Sequence, residues 1–219
     1  MVKLFFSARF IIRVKCISQC FHRFLRLIEM MKAAEKEVVE VKWQGRGGQG
    51  VVLANQLLGM ALFEEGKHIQ TFPDFGPERT GGPVRGYTRF SAKPIDVHSF
   101  VYEPDILAVI DPYFVEDPSV YLGVKPSSIV VVNSGRKPSE LESKLGVKAK
   151  VFGVVDAAKI SKEVFGNYVF NTPVLGGLVR LTGIVKLETL EKLFISRFPG
   201  KVGELNVQML RRGYGEVVT

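Results

Sequence analysis

The chain has 219 residues, of which 46% are hydrophobic and 24% charged, with a formal net charge of +8. That length suits a single α/β domain with a sizeable core, and no run of 18 uncharged apolar residues reads as a membrane span. The charge is local: residues 1–28 carry six Lys or Arg and no acid, and without them 24 basic residues face 22 acidic ones, so a basic nucleic-acid-binding surface is not indicated.

Residues 1–30 place Phe6, Phe10, Val14, Ile17, Phe21, Phe24 and Ile28 on one helical face, with Arg9, Arg13, Lys15, Arg23 and Arg26 on the other. This is either a basic amphipathic leader, membrane-surface or transit-like, or a non-native extension upstream of a start at Met30 or Met31. The second is the expectation, with the domain running over 31–219. Cys16 and Cys20 are the only cysteines. With His22 they make an incomplete zinc set. The rest of the chain has no thiolate for a disulfide or an iron–sulfur cluster, which fits a reducing compartment.

The alternating "EVVEVKW" predicts the first strand. The stretch "QGRGGQGVVLA" follows, with Gly45, Gly47 and Gly50 in G-x-G-x-x-G spacing and Gly48 as a fourth glycine. Residues 48–65 predict a helix closed by Gly66. A strand, a glycine turn and a helix N-terminus together suit an anion: glycine tolerates the tight turn, and the first helical amides carry partial positive charge. Arg46 and Gln49 add donors. The bland alternative is a close-packed turn without ligand. A nicotinamide or flavin site expects an acid about 20 residues on, yet the next strand, "KHIQTF", ends in Gln70 and Thr71, and Asp74 comes late. There is no Walker lysine after Gly50.

"PDFGPERTGGP" has three Pro and three Gly in eleven residues and is expected to be irregular. Glu78, Arg79, Arg85 and Arg89 punctuate this region. They either clamp an anion beside the glycine turn or hold the loop or a subunit interface. "VRGYTRFSAKPIDVHSF" predicts a hairpin turning at Ala92-Lys93. "DILAVID", "SSIVVVNS" and "AKVFGVVDA" are apolar runs that suit central strands. Asp111 and Asp156 after such strands read as helix N-caps. "DAAKISKEVFG", "PVLGGLVRLTG", "KLETLEKLFISRF" and "GELNVQMLRRGYG" predict helices. Asn171-Thr172 reads as an N-cap or as a pair at the ligand edge. His68 and His98 have no nucleophile to serve, and no catalytic constellation appears. The alternation predicts one α/β domain: a mostly parallel sheet, helices on both faces and a β-hairpin insertion.

"GRGGQGVVLA", "GKHIQTFPDFGPERTGGPVRGYTRF", "YEPDILAVIDP" and "NTPVLGG" together resemble the gamma subunits of the pyruvate:ferredoxin oxidoreductase (pyruvate synthase) family, from about Val39 to the C-terminal helices. Residues 1–30 have no counterpart in it. The resemblance implies a Rossmann-like domain in a cytoplasmic complex with alpha, beta and delta subunits. That complex decarboxylates a 2-oxoacid oxidatively, forms an acyl-coenzyme A and reduces ferredoxin. Its thiamine diphosphate, Mg and iron–sulfur clusters are expected on other subunits, and this chain is not expected to act alone. The resemblance places Gly45, Arg46, Gly47, Gly48, Gln49, Gly50, Glu78, Arg79, Thr80, Gly81, Gly82 and Asn171 toward coenzyme A or the subunits that frame it. A shared role with a 2-oxoisovalerate enzyme, a free-standing dehydrogenase and a non-enzymatic binding module remain the alternatives.

Overall fold

The computed structural model describes residues 38–76 and 81–219. The leader expected over 1–30, with Cys16, Cys20 and His22, and the loop residues 77–80 lie outside them. The first strand, β1 (Val39–Arg46), runs into the glycine turn and α1 (Val51–Glu64). Strands β2 (His68–Phe75) and β3 (Pro83–Ser91) follow, then β4 (Ile106–Val109), β5 (Ile129–Asn133) and β6 (Val151–Val155). Helix α2 (Pro138–Leu145) lies between β5 and β6. The chain continues through α3 (Ala157–Phe165), α4 (Asn171–Thr182), α5 (Leu187–Arg197) and α6 (Lys201–Glu216).

The six strands form one sheet in the order β2-β3-β1-β4-β5-β6. The β1–β4, β4–β5 and β5–β6 pairs are parallel, and β3 is antiparallel to both β1 and β2. Side chains alternate between faces as a strand requires. Val41, Trp43, Ala108, Val131 and Val155 belong to the larger core, with residues of α1, α3, α4, α5 and α6. Leu107, Val109, Val130, Val132, Phe152 and Val154 face the other way, toward Leu141 of α2. Two 3-10 turns, Pro112–Glu116 and Pro118–Tyr121, complete that second layer. Helices therefore cover both faces, unequally.

Two expectations are corrected. Pro73, Asp74 and Phe75 continue β2 and are not irregular. Proline removes a ladder donor, but β2 is the sheet edge, where that donor has no partner to lose. The hairpin is β2–β3, with Phe75 opposite Val84. It does not turn at Ala92-Lys93, because the buried side chain of Arg89 draws the segment after β3 back over the sheet: its guanidinium donates to the carbonyls of Val97 (3.3 Å) and Ser99 (2.7 Å).

Beneath α1, Trp43 Nε1 donates to Thr88 Oγ1 at 3.1 Å, Thr88 donates to Asn55 Oδ1, and Asn55 Nδ2 donates to the Phe72 carbonyl at 3.4 Å. This chain of polar groups fixes α1 across β1, β3 and β2. Helices α4 and α6 meet backbone to backbone. A methyl group on Gly176 would collide with the Leu210 carbonyl, and one on Gly213 with that of Pro173. After α6, Val218 forms a two-bond bridge with Val154 of β6, at 2.8 and 3.0 Å.

Candidate functional site

Because β3 is antiparallel to β1, with Arg46 opposite Pro83, the end of the β2–β3 loop returns to the carboxyl edge of β1. The two glycine segments touch there: Gly47 N–H donates to the Gly82 carbonyl at 3.0 Å. The turn is also closed internally, since Gln49 Oε1 accepts from Arg46 N–H at 3.0 Å and Gln49 N–H donates to the Arg46 carbonyl at 3.2 Å. Gly50 caps α1 in the left-handed region (φ +78), which a side chain resists. A Cβ there would also lie 2.6 Å from the Asn171 amide, and one on Gly45 2.6 Å from Val51 Cγ2. Gly48 (φ +91) and Gly81 (φ +74) have no atom within 4 Å of where a Cβ would be.

Asn171 is not an N-cap. Phe170 occupies that position, and Asn171 is the first residue of α4. Asp111 and Asp156 do cap, accepting from Tyr113 N–H and Lys159 N–H at 2.9 Å each. Asn171 is instead pressed against Gly50, so the starts of α1 and α4 converge. Neither has a side-chain cap or an acid in its first turn. Their leading amides keep their hydrogen-bonding capacity and the positive ends of two helix dipoles add. Asn171 is buried at 4% exposure, with its side-chain amide packed against Gly50. An anion with acceptor oxygens fits this arrangement. Among the described residues no group of three His, Cys, Asp or Glu is placed to hold a metal ion.

Arg46 is differently engaged than a free phosphate clamp. Its Nε lies 2.7 Å from Asp111 Oδ2, and its guanidinium stacks 4.3 Å from the Tyr113 ring centroid. Arg89 is a buried structural arginine, 2.9 Å from Glu40 Oε1. Glu78, Arg79 and Thr80 lie outside the described residues.

The chain matches pyruvate ferredoxin/flavodoxin oxidoreductase over residues 40–216. The chain belongs to that family. It is 41% identical over 177 residues to the pyruvate/ketoisovalerate oxidoreductases common subunit gamma of Pyrococcus furiosus, covering 81% of this chain and 96% of that one. The crystal structure of the pyruvate oxidoreductase subunit PORC of Thermotoga maritima superposes with a TM-score of 0.75 at 38% identity, covering 84% and 98%. A keto/oxoacid ferredoxin oxidoreductase gamma subunit from Geobacter sulfurreducens superposes at 0.65 with 26% identity, over 81% and 95%. Within this oxidoreductase family the chain is a gamma subunit, part of an enzyme complex. Among the described residues no helix is long and apolar enough to cross a membrane.

The gamma-subunit sheet also bears on the dehydrogenase alternative. In a dinucleotide site a parallel second strand beside β1 ends in the ribose-binding acid. Here the neighbour on that side of β1 is the antiparallel β3, so no such acid is delivered.

One cluster was not foreseen from the sequence. On the second face, three cross-strand rows stack: Gln70, Arg89 and Glu40; Phe72, Tyr87 and Lys42; Asp74, Arg85 and Gln44. The first row is closed by Arg89. From the other two, Lys42, Tyr87, Asp74, Arg85 and Gln44 floor a pocket of about 620 Å³ walled by Phe100, Tyr102, Phe114 and Leu122. Lys42 Nζ donates to the Val120 carbonyl at 3.1 Å. Burial, and then the neighbouring Arg85, lower its pKa below the ordinary lysine value. Burial likewise pushes the Tyr87 phenol up. The polar positions of β1 alternate as Glu40, Lys42 and Gln44, a sequence sign that no helix covers this face. The assembly of the three rows depends on register.

Proposed function

We propose that this chain is the gamma subunit of a multi-subunit pyruvate (2-oxoacid):ferredoxin oxidoreductase, with residues 31–219 as the family domain. The carrying observation is the family match over residues 40–216, with gamma-subunit relatives covered almost end to end. Such a complex converts a 2-oxoacid and coenzyme A to an acyl-coenzyme A and CO₂, passing two electrons to ferredoxin. Thiamine diphosphate with Mg and the iron–sulfur clusters supply the decarboxylation and electron-transfer chemistry when bound on alpha, beta and delta subunits. The name of the Pyrococcus furiosus relative supports a second reading, a gamma subunit shared between pyruvate and 2-oxoisovalerate enzymes.

This chain's contribution is to bind and orient. The uncapped start of α1 offers backbone amides beside the bare Gly48, and the buried Asn171 amide adds a side-chain donor. Both suit a phosphate of coenzyme A. Gly82 is tied to Gly47 at this edge, and Glu78, Arg79 and Thr80, close by in the sequence, are proposed to frame the ligand.

The test is Asn171→Ala in the assembled complex, with viologen reduction followed against each substrate. The coenzyme A KM should rise about tenfold, as loss of one hydrogen bond to a charged group implies. The pyruvate KM and the subunit composition should not change. An unchanged coenzyme A KM in an intact complex would remove Asn171 from the site.

A further inference from the structure

We infer that the pocket on the second sheet face, between β1–β3 and the 3-10 turns, receives an acidic segment of a partner subunit: an Asp or Glu carboxylate flanked by an aliphatic or aromatic side chain. The inference rests on the gamma-subunit reading, which makes partner subunits obligatory, and identifies where one of them docks.

Three observations carry it. The first is charge. Arg89 pairs with Glu40, and Arg85 with Asp74 at 3.5 Å. Asp117, also on the wall, turns its carboxylate to Ser119 N–H at 2.9 Å. Lys42 is left with a carbonyl as its acceptor and no carboxylate within ion-pair distance among the described residues. A half-buried ammonium without a counter-charge is destabilising, and an incoming carboxylate removes that penalty. Arg85, half exposed, supplies further donors to the same carboxylate.

The second is the rim. Phe100 is 51% exposed, Tyr102 72% and Leu122 70%. Three large apolar side chains around one cationic floor form an interface patch: apolar contact with a polar anchor at its centre. Phe100 is held in place by Tyr87 and Phe72, with ring centroids 6.0 and 6.3 Å away, so the patch is pre-organised.

The third is separation from the ligand edge. The pocket floor belongs to the face opposite α1, whereas the Gly50–Asn171 contact lies among the helices of the first face. A partner seated in the pocket therefore leaves the uncapped helix ends open to coenzyme A.

The experiment uses the whole complex, co-expressed with the affinity tag on another subunit. Retention of this chain is read by native mass spectrometry, and its affinity by titration of the untagged full chain. Leu122→Asp places a like charge at the rim, and Lys42→Met removes the anchoring cation with little change in volume. Each should weaken association at least tenfold. Lys42→Met should leave the melting temperature of the chain alone unchanged or higher, because it removes an uncompensated charge. Val202→Asp, at an exposed position in the first turn of α6 and outside the pocket lining, should leave association at the wild-type value.

Wild-type affinity in both pocket variants would overturn the inference. So would wild-type affinity with a raised coenzyme A KM, since the pocket would then serve a small ligand. A wild-type chain that fails to associate with any partner would sink the gamma-subunit reading itself, and the docking inference with it. Assembly of the wild type with unaffected variants sinks the docking inference alone.

Discussion

Two arginines that look alike in the sequence have opposite uses. Arg85 and Arg89 both follow the glycine-rich loop and point to the same sheet face, four residues apart. Arg89 is 1% exposed and distributes its donors among Glu40, Gln70 and two carbonyls. Arg85 is half exposed at a pocket mouth. Arg89→Met removes the buried ion pair with Glu40 and frees the segment after β3. The loss should be about 3 kcal/mol, the lower end for breaking a buried pair because Glu40 keeps some solvent contact. That corresponds to a melting temperature roughly 10 °C lower for a domain of this size. Calorimetry checks it, and an unchanged coenzyme A KM in the surviving fraction would confirm that Arg89 serves the fold. The sequence shows that arginines are present here; the strand register that buries one of them comes from pairing between β1, β2 and β3.

At the scale of elements, most of the fold was legible. Strands β4, β5 and β6 are continuous apolar runs because both sheet faces are covered, and α3 to α6 announce themselves by periodicity. Helix α2 was not legible, since it buries a single side chain, Leu141, and so carries little apolar pattern. The β2–β3 hairpin was misplaced because proline was read as a breaker without knowing that β2 is an edge. At the site, the glycine turn was plain in the sequence, whereas the Asn171–Gly50 contact, 121 residues apart, requires the packing of α4. That packing yields a prediction. Gly213→Ala drives a methyl group into the Pro173 carbonyl, two residues from Asn171. It should cost about 2 kcal/mol as an overpacked contact and raise the coenzyme A KM by displacing the start of α4. Gly176→Ala strains the same α4–α6 contact from the other helix. A double-mutant cycle should therefore show coupling, the pair costing less than the sum.

For the molecule as a whole, buried phenols set an alkaline limit. Tyr121 donates to the Val115 carbonyl at 2.7 Å, and burial raises its pKa well above the ordinary value of 10.0; Tyr87 is raised as well. The folded chain holds these protons more tightly than the unfolded chain. Their contribution is fully present below pH 10 and is lost as pH rises beyond it. Lys42 acts in the opposite sense, its lowered pKa adding stability as pH climbs toward 10.5. Tyr121→Phe should flatten the alkaline decline in a melting-temperature series from pH 8 to 11. It should also cost about 1 kcal/mol at neutral pH for the lost hydrogen bond.

The two margins of the sheet limit how the subunit can be joined to anything else. An open strand edge invites another chain to extend the ladder, which is a common route to uncontrolled polymerisation. On one side Pro73 removes a donor from the middle of β2; on the other, Val218 occupies both the donor and the acceptor of Val154 on β6. Growth of the sheet by strand addition is obstructed at both ends. Neighbours are then left the broad surfaces and loop edges for contact, not the sheet margins. A chain shortened by its last three residues would regain an open margin, and with it the means to form fibres.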